Sequence, residues 1–148
     1  MNFSVMKRKE VKELVKWIDK QWNFKGKLDY GFLINAKSNV YIVKKEVFDV
    51  DFSKIRINSL GMYLGELRNG ELRLSIEGSQ IIGKGSDKNI ADIEDTRAWL
   101  RGEDLELVGD YSGFVIIRHN KDFLGCGRYK EGKILNFVPK ARRLKCSD

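Results

Sequence analysis

The sequence predicts an α+β fold, with an N-terminal helix and antiparallel sheet followed by a C-terminal β-rich unit. Three patterns predict it. Apolar residues recur at helical spacing at Val11, Leu14, Val15 and Ile18, with Trp22 four residues further on. The alternation in LRLSIEG puts Leu72, Leu74 and Ile76 on one face and Arg73, Ser75 and Glu77 on the other. Towards the C-terminus, three apolar runs are separated by short polar turns.

The helix is expected from Met6 to about Gln21, with lysines on the face between the apolar residues. Its stripe reads as packing against a sheet; a basic amphipathic helix also suits a membrane surface or a partner's groove. Strands are expected at residues 30–34, 40–43, near 55–58 and at 72–76, with a hairpin connection at residues 35–39 and a turn at Asn69-Gly70. The polar stretch at residues 83–92 is the candidate boundary, giving an α+β unit at residues 1–88 and a second unit at 89–148. There, residues 114–118, 123–129 and 133–138 form a meander turning at residues 120–122 and at Glu131-Gly132. Gly125 and Gly127, flanking Cys126, let the sheet bend or another backbone approach closely.

At 148 residues and 42% hydrophobic content, the chain can bury a core without a disulfide framework or structural metal. Cys126 and Cys146 make neither a disulfide scaffold nor a zinc set, so a reducing cytoplasm is the default compartment. The longest apolar runs fall far short of 18 residues, and the N-terminal segment is charged where a signal peptide needs an apolar core, so no membrane partner is expected. The net charge of +7 is unevenly spread. Residues 1–27 hold eight Lys/Arg against three acids (+5), residues 28–117 eleven against fifteen (−4), and residues 118–148 nine against three (+6). Basic ends suit a polyanion, because each phosphate neutralised releases counterions; they equally suit a solubilising surface.

Motifs for chemistry fail one by one. Gly78 to Lys84 has the spacing of a phosphate-cradling loop, but Gly85 stands where Ser or Thr should hold magnesium. His119, the one histidine, permits no two-histidine metal site; surface residue, RNA contact and catalysis stay open for it. Cys126 between glycines reads as a small packed residue. The acids Asp92, Glu94, Asp95, Glu103, Asp104 and Glu106 lack the glycine and closing glutamate of a calcium loop. No catalytic residue, metal site or cofactor is expected.

The run from Thr96 to Leu144 is more specific. Its ordered landmarks are WLRGEDL from Trp99, the strand from Gly113, FLGCGR from Phe123, and GKILNFVPKARR from Gly132, with the sole proline, Pro139, before Lys140. These resemble the PUA-like RNA-binding domain at the C-terminus of Sun/Fmu-type RNA cytosine-5 methyltransferases. More loosely, the N-terminal half, including LGMYLGEL from Leu60, resembles the pre-PUA half of small archaeal and eukaryotic ribosome-assembly proteins. The resemblance implies a C-terminal PUA-like small β-barrel and binding of RNA, either rRNA or tRNA, in ribosome assembly or RNA modification. The catalytic Pro-Cys motif of those methyltransferases has no counterpart, since neither cysteine follows a proline, so no enzymatic activity is implied. Residues expected to carry binding are Arg118, His119, Lys121, Arg128, Lys130, Lys140, Arg142, Arg143 and Lys145, with Phe137 or Tyr129 stacking on an unpaired base. The alternative is a protein-interaction adaptor that recruits an RNA methyltransferase or assembly factor.

Overall fold

The computed structural model describes residues 3–46 and 61–145; the strand expected near 55–58, and Cys146, lie outside them. The order is β1 (Phe3–Val5), α1 (Arg8–Trp22), β2 (Gly31–Asn35), β3 (Asn39–Val43), β4 (Met62–Arg68), β5 (Glu71–Leu74), α2 (Ile76–Gly83), β6 (Ile90–Asp92), α3 (Thr96–Leu100), β7 (Leu105–Glu106), β8 (Phe114–His119), β9 (Asp122–Lys130), β10 (Lys133–Asn136) and a 3-10 turn at Lys140–Arg142. The first sheet runs β1-β2-β3-β4-β5, antiparallel throughout. The second runs β6-β8-β9-β10-β7, antiparallel except for the parallel β6–β8 pair, and curls into a half-barrel. The expected α+β class with a PUA-like small barrel is what the chain adopts.

α1 forms where the apolar period is 3.6, and it buries Leu14, Ile18 and Trp22 against the first sheet, while Val15 faces out. Its start is fixed by Glu10, whose carboxylate accepts from the Lys7 N–H at 2.9 Å. Its end is fixed by Asn23 in the left-handed region, donating to Asp19 O. Asn-Gly at 69–70 and Glu-Gly at 131–132 have positive φ at both positions, the turn geometry whose twist matches the flanking strands.

Two expectations need correction. The strand expected to run through Ile76 stops at Leu74, because the Ser75 side chain accepts from the Gly78 N–H at 2.9 Å and starts α2. The phosphate-loop spacing of residues 78–84 therefore lies within a helix and its cap, not in a loop. Likewise β10 ends at Asn136, short of Val138, where the Asn136 side chain takes over the hydrogen bonding.

The core crosses the molecule. α1 residues Leu14, Ile18 and Trp22 pack in one cluster with Leu64, Leu72 and Leu74 of the first sheet, Ile82 of α2, and Phe114, Ile116, Phe123 and Cys126 of the second sheet. The Trp22 indole donates to Phe114 O at 3.0 Å, and the last carbonyls of α1 accept from Asp87, Lys88 and Asn89. A second cluster fills the half-barrel around Trp99, Val115, Ile117 and Ile134.

Candidate functional site

The seam where the two sheets meet opens as a groove. Two adjoining cavities of about 190 and 240 Å³ share Arg73 and Phe137 in their walls. β5 supplies Glu71 and Arg73, α2 supplies Glu77, and β9 supplies Arg128; the segment after β10 supplies Phe137 and the 3-10 turn Arg142. Guanidinium groups and rings alternate along it. Arg73 lies over Phe137 with 4.9 Å to the ring centroid, Arg128 over Phe114 at 5.3 Å, and the two rings meet edge-on at 5.9 Å. Acids tie the two sides together: Arg128 pairs with Glu71 and Arg142 with Glu77, each at 2.5 Å. Tyr63 also lines the groove, and burial pushes its ionisation above the ordinary tyrosine value.

The expected site residues fall into separate places. Arg128 and Arg142 are in the groove. Arg118, His119 and Lys121 sit together at the β8–β9 hairpin tip, where Arg118 grips Asp92 with Nε and a terminal nitrogen at 2.6 and 2.9 Å. That hydrogen bonding holds the Asp92 carboxyl below the usual carboxylate range and raises Arg118. His119 Nδ1 faces Ile93 O at 2.9 Å and Nε2 faces the Asn120 amide nitrogen at 3.3 Å. Because a carbonyl can only accept, the proton belongs on Nδ1, leaving Nε2 to accept from Asn120. Lys121 is exposed. Lys130 is exposed at the far end of β9, about 26 Å along an extended strand from the tip. Lys140 and Lys145 are exposed near the C-terminus, whereas Arg143 is half-buried and donates from Nε to Val138 O at 2.9 Å.

The structure adds groove residues that the sequence reading missed: Arg68, Arg73, Glu71, Glu77 and Tyr63. The polar face of the LRLSIEG alternation carried the signal for Arg73 and Glu77, but not what lay opposite. Of the two candidate stacking aromatics, Phe137 faces the groove, while Tyr129 packs edge-on against Tyr111 at 5.5 Å.

The acids first considered as a metal set are mostly engaged elsewhere. Asp92 holds Arg118, Asp95 caps α3 through the Arg97 N–H, Glu103 pairs with Arg101, and Asp104 accepts from the Asn136 N–H. Cys126 is buried, donates to Leu74 O at 3.3 Å, and is pushed by burial up to about 12.

The landmarks from Trp99 to Arg143 explain the fold more than the site. Trp99 is fully buried and donates to Leu124 O at 2.7 Å. The Asn136 amide donates to Trp99 O at 2.8 Å and Glu103 O at 2.9 Å, and its oxygen accepts from the Val138 N–H at 2.7 Å. The Leu144 N–H then closes the chain onto Leu100 O at 2.8 Å.

A family model described as the methyltransferase RsmF PUA domain matches residues 88–144. The ribosomal RNA small subunit methyltransferase F of Vibrio atlanticus (strain LGP32) is 24% identical over 98 residues, covering 64% of this chain and 21% of that protein. Its namesake from Vibrio vulnificus (strain YJ016) is 25% identical over 89 residues, covering 59% and 19%. The chain thus spans about a fifth of the length of these curated relatives. Both similarities are too long to fit within residues 88–148, so they reach into the N-terminal half, where α2 packs on β9. Trp99, Asn136 and the closing arginine therefore build, over residues 88–144, a PUA-like domain resembling the C-terminal domain of RsmF/Sun-type rRNA methyltransferases.

Proposed function

We propose that this chain is an RNA-binding protein that recognises structured rRNA or tRNA, acting in the cytoplasm in RNA modification or ribosome assembly without catalysis of its own. The inter-sheet groove carries this reading: arginines interleave with aromatic rings on the margin of a domain resembling that of rRNA methyltransferases. An unpaired base can stack on an open face of Phe137 or of the Arg73 guanidinium, and such stacking contributes about 1–3 kcal/mol per base. The Arg128 and Arg142 forks match phosphate as well as carboxylate, so a phosphate can displace Glu71 or Glu77 as their partner. A buried, protonated Cys126 that follows Gly125 rather than proline supports binding without a nucleophile.

The test is fluorescence anisotropy with a folded tRNA and an rRNA hairpin. Replacing Arg128 and Arg142 by alanine removes two cations and leaves Glu71 and Glu77 unpaired in the groove. Affinity is expected to fall at least tenfold with an unchanged circular dichroism spectrum. Binding that is insensitive to salt, or unaltered in the double variant, overturns the proposal.

A further inference from the structure

The groove arginines are each matched by an acid, yet the largest share of N-terminal positive charge lies elsewhere. α1 turns Arg8, Lys9, Lys12, Lys16 and Lys20 to solvent, all exposed. At 100° per residue they fall within one arc of about 120°, and from Arg8 to Lys20 they run about 18 Å along the helix. Among the described residues, Arg8, Lys9, Lys12 and Lys16 have no acid within ion-pair distance. Asp19, the acid on the same arc, is paired with Lys25 at 3.5 Å. Lys88 extends the row by lying against the end of the helix, its Nζ donating to Lys20 O at 3.2 Å.

We infer that this face of α1 is a second RNA-binding surface, one that tracks the phosphate backbone and carries no base readout. The inference rests on the RNA-binding reading above and extends it to the other basic end of the chain. The chemistry favours a polyphosphate chain over two other anionic partners. A helix lying on a membrane needs its apolar face free, whereas Leu14, Ile18 and Trp22 are at most 4% exposed. A protein interface of the usual kind has an aromatic or apolar centre and is depleted in lysine, the opposite of this arc. Unpaired, solvated lysines are what counterion release requires: each exchanges a condensed cation for a phosphate contact without first breaking a salt bridge.

The experiment compares the full chain with Lys9→Glu/Lys12→Glu/Lys16→Glu, and with the same three positions changed to Gln, which preserves helix propensity and removes the charge. Binding to a folded tRNA is measured by anisotropy from 50 to 300 mM salt. Both variants are expected to lose at least tenfold in affinity at low salt. The slope of log Kobs against log salt is expected to flatten by about two to three, one phosphate per lysine lost. If both variants bind with wild-type affinity and slope while the Arg128/Arg142 double variant does not, the α1 surface is refuted and the groove stands. If wild type itself binds no RNA, the functional reading fails and this inference with it. If the variants lose only adsorption to vesicles of anionic phospholipid, the face serves a membrane and the inference is overturned.

Discussion

Cys126 shows how one residue's environment fixes its chemistry. Its thiol sits between the two sheets, and burial penalises the thiolate enough to push ionisation up to about 12, against roughly 8.5 for a free thiol. A native pKa raised above the unfolded one contributes stability that is complete below the unfolded value and is lost as pH rises towards the native one. We therefore expect the urea midpoint of the protein to fall between about pH 9 and 12 more steeply than that of Cys126→Ala. In a Cys146→Ser background, Cys126 is also expected to resist aromatic disulfide reagents at pH 8 until urea unfolds the chain. Rapid labelling of the native protein would show that the thiol is accessible after all. Asn136 works by the opposite means, through four hydrogen bonds: two to Glu103 and Asp104 in the loop after α3, one to Trp99 O in α3, and one from the Val138 N–H that shapes the segment after β10. Its place in the GKILN landmark was plain in the sequence; that it serves folding rather than binding was not.

α2 is the element that joins the halves, and it does so by close approach. A Cβ at Gly78 would lie 2.1 Å from Leu64 O on β4, too close for any side chain without moving the helix. At its other contact, Gly125 takes φ +95° where the β8–β9 register shifts, and its freed N–H donates to the buried Ser79 hydroxyl at 2.8 Å. Gly78→Ala is expected to destabilise the fold by about 1–3 kcal/mol, the usual cost of overpacking a filled interior, measured as a lower urea midpoint with unchanged slope. A neutral effect would mean that α2 can slide away from β4 freely. In the sequence, the alternation through Leu72, Leu74 and Ile76 reads as one continuous strand, because period two runs unbroken to Ile76. Ser75 ends it, because a serine followed three residues later by a free N–H is a helix start.

Over the whole molecule, one cluster containing Trp22, Leu64, Ile82, Phe114 and Cys126 spans the two halves, while Trp99 sits in the half-barrel cluster. Sharing a core makes the loss of either half expose apolar surface on the other. Tryptophan fluorescence and far-ultraviolet circular dichroism are thus expected to report one coincident urea transition. Two separated transitions would show that residues 1–88 and 89–148 unfold independently. The same shared seam creates the groove: Arg73 reaches Phe137, and Glu71 reaches Arg128, only because β5 is laid beside β9.

Local chemistry by itself determined the α+β class, α1, most strands of the two sheets, the Asn69-Gly70 and Glu131-Gly132 turns, and the PUA-like resemblance of the C-terminal run. These depend on periodicity, on glycine and asparagine at positive φ, and on the order of landmarks, all of which are properties of neighbouring residues. Tertiary structure alone decided which cations share a surface. Arg128 and Arg142 meet Arg73 in one groove, Arg118 is bound to Asp92 and Arg143 to Val138 O, and the lysines of α1 stay unpaired among the described residues. The reason is physical: a charge is spelled by its own codon, but its partner is chosen by packing between segments up to 65 residues apart, as in Glu77 and Arg142.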